Sequence, residues 1–171
     1  MEEDPVKMAG QLIRYSQTLS LSTVTPEGRP WVSDCFVAYD EGLNFFWTSP
    51  HDTHHSEYIG ANGRVVLHTS NDNMPPNAGL GRGVYIHAEA AALGDEATIR
   101  YAMDYLSSRS GEVPLRGPES FLGESPLRIY QAVPDEVRVN KSVVNGEGMI
   151  IARSDAIALA GLREVLALSL R

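Results

Sequence analysis

Apolar residues recur first at helical spacing and then, from Leu19 onward, at every second position. Over residues 4 to 18, Met8, Leu12 and Ile13 form one stripe, with Asp4 placed to cap and Pro5 in the first turn; this predicts a helix. In "LSLSTV", Leu19, Leu21 and Thr23 share a face opposite Ser20, Ser22 and Val24, which predicts a strand. "TPEGRP" follows as a turn with Gly28 at a position that favours positive φ. "WVSDCFVAY", a "DEG" turn and "LNFFWTS" then complete an expected three-stranded antiparallel meander with short hairpins.

A loop and a short helix from about Asp52 to Ala61, ended by Gly63, separate that meander from a fourth strand, "RVVLHTS". "NDNMPPNAGLGRG" reads as a polar loop of the kind that carries function. "VYIHAEAAAL" is a fifth strand, with Val84, Ile86, Ala88 and Ala90 opposite Tyr85, His87 and Glu89. Residues 95 to 109 predict a second long helix, and "VPLRGPESFLGES" an irregular stretch with one helical turn. "PLRIYQAV" and "EVRVNKS" read as a sixth strand broken at Pro134. From about residue 154 a tail carries Ile157, Leu162, Val165 and Leu166 at helical spacing, with Ser154 or Asp155 as its cap. The expected fold is mainly β with flanking helices: six antiparallel strands in a small barrel, residues 1–171 forming one domain.

Composition narrows the partners. Hydrophobic content of 43% and charged content of 21% are ordinary for a folded domain. A net charge of -8, with no two basic residues adjacent, argues against nucleic acid, whose recognition needs clustered Lys and Arg. Cys35 stands alone, which excludes an intramolecular disulfide and a cysteine-based zinc cluster. "MEEDPVKMAG" is acidic without an apolar core, and no apolar run reaches the ~20 residues of a membrane span. A soluble cytoplasmic protein that touches no membrane is expected.

Chemistry concentrates in "WTSPHDTHHSEYIGANGRVV", where three histidines, one aspartate and hydroxyl residues lie between two strands. One reading is a metal site, since His51 shares a helical face with His54 or His55; no HExxH-type spacing supports it. A second is an ordinary helix cap, Asp52 or Thr53, with solvated histidines. In the third, the helix start offers free N–H groups, Thr48, Ser49 and Thr53 add hydroxyls, and His54 and His55 add ring N–H groups. Together these make a phosphate cradle without lysine.

The order "LSLSTVTPEGRPWVSDCFVAYDEGLNFFWTSP", "TSPHDTHHSEYIGANGRVV", "GVYIHAEAAAL" and "LRIYQAVPDEVRV" resembles the pyridoxamine 5'-phosphate oxidase-like family of flavin-binding split barrels, over roughly residues 10 to 140. That resemblance implies a split-barrel homodimer with FMN at the subunit interface and a small-molecule substrate. The second strand, here Ser33, Asp34, Cys35 and Phe36, would lie along the isoalloxazine. Trp47, Thr48 and Ser49 would contact the ring edge and ribityl chain. Thr53, His54 and His55 map onto the phosphate-gripping helix start. The sequence departs from the oxidase itself, with His-His for Arg-Lys, Ser33 for a strand-two arginine and no C-terminal Arg-x-His, so pyridoxamine phosphate oxidation is not expected.

The resemblance implies an oxidoreductase whose flavin carries hydride chemistry, so no catalytic acid or base need be named. It leaves open a deazaflavin coenzyme or haem in place of FMN. A non-catalytic ligand-binding barrel is the rival reading. Trp31 and Trp47 alternate on their strands and read as core or interface, Cys35 as a small buried residue, and Arg82 as solvated. Should His54 and His55 act as cations, FMN affinity is expected to fall as pH rises through roughly 6–7.5.

Overall fold

In the computed structural model, which describes residues 4–70, 82–110 and 117–167, the first helix starts where its cap predicts. Asp4 accepts from the Val6 amide at 2.9 Å, and α1 runs over Pro5–Tyr15. Strand β1 (Thr18–Val24) buries Leu19, Leu21 and Thr23 as the alternation requires. A turn in which Gly28 takes φ 83 connects it to β2 (Pro30–Phe36).

There the predicted meander fails. "WVSDCFVAY" breaks at Val37, whose amide donates to the Gln17 carbonyl, and the chain continues as β3 (Ala38–Tyr39). Strand β2 pairs with β1, whereas β3 pairs with β4 (Phe45–Pro50). The full strand order is β2-β1-β5-β6-β7-β4-β3, where β5 is Arg64–Ser70, β6 is Arg82–Ala92 and β7 is Leu127–Val144. Strands β2 and β3 thus stand at opposite ends of the sheet although Val37 alone separates them. Only a sheet curled until its two edges meet can satisfy that link. The result is a split antiparallel barrel, flanked by four α-helices among the described residues and mainly β as expected.

Two further differences have physical causes. Strand β7 continues past Pro134 instead of breaking, because a shift in register against β6 (His87 opposite Glu136, Ala88 opposite Pro134) leaves Asp135 as an extra residue. A bulge accommodates a residue that lacks an N–H. Its length leaves an edge beyond β4, and β8 (Ile150–Ile157) pairs there, with Ser154 opposite Asn140 and Asp155 opposite Val139. Ser154 and Asp155 therefore lie in a strand rather than capping a helix, and the tail helix α4 begins at Leu159 and runs to Ala167. Among the described residues the sheet has eight strand segments rather than the six expected. The loop predicted from 71 lies mostly outside the described residues.

The interior of the barrel is filled by Leu19, Leu21, Phe45, Trp47, Leu67, Ile86 and Val137, closed by Met8 and Ile13 of α1 and Leu162 and Leu166 of α4. Each such buried side chain contributes about 1.5–3 kcal/mol. Helix α3 (Glu96–Ser110) packs a second cluster, Ile99, Ala102 and Leu106, on Phe46, Ile129 and Phe121 outside the barrel. Arg109 joins α3 to α1: its Nη2 donates to the carbonyls of Ser16 at 2.5 Å and Ile13 at 3.2 Å, and its guanidinium lies 5.0 Å from the centre of the Tyr39 ring. It satisfies carbonyls at the C-terminal end of α1 that have no partner within the helix.

Helix α2 (His54–Ala61) is short, and its exit is fixed by a close backbone approach. The Gly63 carbonyl accepts from the Ala90 amide at 2.8 Å, and a Cβ at Gly63 would stand 2.7 Å from the Ala90 carbonyl oxygen. Gly63→Ala is expected to cost about 1–3 kcal/mol, the range for overpacking against fixed atoms. Urea denaturation of the two proteins checks it, and an unchanged midpoint would contradict this packing.

Candidate functional site

The curl that joins β2 to β3 leaves the other halves of β2 and β4 unpaired with each other, and helix α2 starts in the gap. Residues from both edges converge on one imidazole. His55 Nε2 lies 2.8 Å from Ser49 Oγ on β4, and His55 Nδ1 lies 3.2 Å from Ser33 Oγ on β2. Thr53 Oγ1 joins the set at 3.1 Å from Ser49 Oγ and 3.3 Å from His55 Nε2. The Trp31 indole N–H donates to Ser33 Oγ at 3.0 Å, which fixes that hydroxyl from the other side. One imidazole therefore bridges the split through two hydroxyls.

Thr53 is the N-cap residue of α2, but its side chain makes no capping bond to the first-turn amides. Its hydroxyl instead lies 3.0 Å from the Pro50 carbonyl and 2.8 Å from Ser56 Oγ. The amides of His54, His55 and Ser56 precede the first intrahelical donor, Glu57, which bonds the Thr53 carbonyl at 3.0 Å. Such a start holds partial positive charge and N–H groups for an acceptor from outside the helix. Glu57 in the same turn opposes an anion. The simple cap reading is thus replaced by a hydroxyl and imidazole cluster around an uncapped start.

Burial pushes the His55 pKa below its ordinary value, and the neighbouring His54 adds a smaller push in the same direction. Near neutral pH its ring is therefore uncharged, one nitrogen donating and the other accepting, as two flanking hydroxyls allow. His54 is exposed and belongs to a different group. Its ring stacks on Tyr58 with centroids 5.9 Å apart and planes 6° apart, and meets Trp31 edge-on at 4.8 Å.

Strand β2 divides the other candidates between two faces. Ser33 and Cys35 share one, Asp34 and Phe36 the other. Cys35 is buried in the core, and its thiol is pushed up to about 11, first by burial and then by the Asp34 charge, so it is an inert packing group. Asp34 accepts from Ser20 Oγ at 2.9 Å on the outer face of the sheet. There Asp34, Ser20 and His68, with Ser16, Gln17 and Thr69, line a cleft of about 250 Å³. Trp47 is 1% exposed and stacks on Tyr130 at 5.5 Å inside the barrel, while Thr48 beside it is exposed. Ser33, Ser49, Thr53 and His55 thus come together, whereas Asp34, Cys35 and Trp47 point elsewhere. Among the described residues no group of three or more His, Cys, Asp or Glu is arranged to hold a metal ion.

The pairing of Ser33 with His55 was not legible from spacing, because 22 residues separate them. His54 and Tyr58, four apart on a helix, carried a readable signal of contact.

The family model described as pyridoxamine 5'-phosphate oxidase matches residues 7–141. The chain belongs to that family. No curated protein matches the sequence. Among solved structures it is similar to a haem-binding protein from Mycobacterium smegmatis, with TM-score 0.66 and 16% identity, over 96% of this chain and 62% of that one. A FAD-binding protein from Mesorhizobium loti gives TM-score 0.56 and 15% identity, over 77% of this chain and 91% of that one. An F420 reductase gives TM-score 0.55 and 20% identity, over 80% and 98% respectively. At these identities the likeness shows the split-barrel fold, and this chain spans 62% of the haem-binding protein's length.

Because the folded protein holds the His55 pKa below the ordinary imidazole value of about 6.5, the unfolded chain takes up that proton first. This contribution to stability is intact above about pH 6.5 and is lost as pH falls from there towards the folded pKa. Melting temperatures of wild type and His55→Gln, measured from pH 7.5 to 5, are expected to converge as pH falls. A constant difference across that range would contradict the assignment.

Proposed function

We propose that the protein is a flavin-dependent oxidoreductase that holds a flavin nucleotide, FMN in its minimal form, between two copies of the chain. The carrying observation is the uncapped start of α2 at the split, where Thr53, His55, Ser49 and Ser33 converge from both barrel edges. The donor set fits a phosphate. First-turn amides and the hydroxyls of Thr53 and Ser49 would supply donors, and a neutral His55 would add a hydrogen bond without a fixed charge. Neither the stretch from 47 to 63 nor that from 30 to 39 contains Lys or Arg, so the grip is made of dipoles. Ser33, Thr48 and the β2 segment through Phe36 would border the ring and ribityl chain.

Bound there, the flavin supplies hydride transfer to or from a small-molecule substrate, while the chain orients it and excludes water. The names of the similar structures, with FAD, F420 and haem among them, support a flat conjugated cofactor at this kind of barrel. A deazaflavin or haem is the second reading, favoured by those names and by the absence of the oxidase's Arg-Lys pair. Pairing of two copies is taken from the family resemblance, which implies a cofactor at the subunit interface.

Protein purified without added cofactor and then titrated with FMN is expected to bind it and to run as a dimer by light scattering. The double replacement Ser49→Ala with Thr53→Ala is expected to weaken FMN roughly a hundredfold or more, since two bonds to a charged group, each about 1.5–3 kcal/mol, are lost. A protein that takes up neither FMN, F420 nor haem would overturn the proposal in favour of a barrel without a cofactor.

A further inference from the structure

Beside the phosphate cradle stands an aromatic surface that the flavin head does not need. Trp31, on the edge strand, is 39% exposed; its ring meets His54 edge-on at 4.8 Å and Tyr58 at 6.2 Å. His54 and Tyr58 lie one helical turn apart with nearly parallel rings. The trio is tied to the cradle rather than merely near it, because the Trp31 indole N–H holds the same Ser33 hydroxyl that His55 contacts. An isolated exposed aromatic needs no explanation. Three aromatic rings packed together at the surface, joined by hydrogen bonds to a set of phosphate donors, make the surface a nucleotide base would stack on.

We propose that Trp31, His54 and Tyr58 form an adenine-stacking subsite, so that the chain takes the dinucleotide FAD in preference to FMN. This rests on the flavin reading above. The chemistry supports a base rather than a second charged group. The cradle has no lysine or arginine in its segments, Glu57 stands in its first helical turn, and the chain carries net charge -8. Extra binding must therefore come from an uncharged, flat moiety, and stacking on an aromatic face supplies it without a cation. The pyrophosphate of FAD carries about the same negative charge as the FMN phosphomonoester near neutral pH, so the adenine adds contact without adding charge against Glu57.

The test compares dissociation constants for FMN and FAD by calorimetry on wild-type protein, Trp31→Leu and Trp31→Phe. Both variants lose the indole bond to Ser33, so any harm to the cradle affects the two ligands alike. The ratio between ligands isolates the stacking. FAD is expected to bind wild type roughly tenfold or more tightly than FMN, the size of one base–aromatic stack. Trp31→Phe should keep most of that ratio and Trp31→Leu should bring it near one. A ratio near one in wild type, with FMN bound, overturns this subsite and leaves the flavin reading standing. So does a ratio that survives Trp31→Leu. Binding of neither flavin overturns both.

Discussion

The structure turns on one topological constraint: β2 and β3 are separated by a single residue yet belong to opposite edges of the same sheet. A flat sheet cannot obey it. The curl that does obey it zips the barrel shut at Val37 and lets β2 and β4 diverge away from that point, so the split is a consequence of closure. A split exposes edge hydrogen-bonding groups, which proteins cover or pair. Here the cover is the start of α2, and the bridge is His55 between Ser33 and Ser49. The same event that seals the edges brings donors from β2, β4 and α2 to one place.

What was legible in the chain divides along local and non-local lines. Alternation in "LSLSTV" and "RVVLHTS", the Asp4 cap and the position of α2 are properties of neighbouring residues, and each stands in the structure as read. The partner of a strand is not such a property. "WVSDCFVAY" reads as one strand with Ser33 and Asp34 inside it, and nothing in it tells that the chain leaves one neighbour for another at Val37. The tail misled for a related reason. Leu162, Val165 and Leu166 do lie at helical spacing, but the free edge of β7 captured the residues up to Ile157, and a long strand elsewhere is invisible from the tail. In the candidate site, the cluster of histidines was legible and its division of labour was not. His54 and His55 are adjacent, yet one faces Trp31 and Tyr58 while the other is half buried between hydroxyls.

That division bears on how an anion is held. A grip of Arg and Lys is strong at any pH below their pKa and carries its charge whether or not the ligand is present. In the proposed cradle, amides and hydroxyls oriented before any ligand arrives would take the place of fixed charges. Preorganised dipoles in a half-buried site lose little on reorganisation, so the deficit is smaller than a count of charges suggests. A neutral imidazole also avoids the desolvation that a buried cation would suffer without a ligand. Its burial is what lowers its proton affinity, so the bridge and the neutrality have a common cause.

Trp47 shows the cost of the same closure. Its ring fills the barrel against Tyr130, and its indole nitrogen is buried with no hydrogen-bond partner. An unsatisfied buried donor costs roughly 1–3 kcal/mol, which the contacts of a buried aromatic side chain offset. Trp31 is the converse. Its N–H is satisfied by Ser33 while its ring stays open to solvent. For folding alone, the better arrangement would bury that ring, since an exposed indole face loses the larger part of its hydrophobic gain. Ser33 holds the nitrogen and thereby keeps the ring at the rim, an arrangement that would serve the proposed ligand surface better than it serves the core.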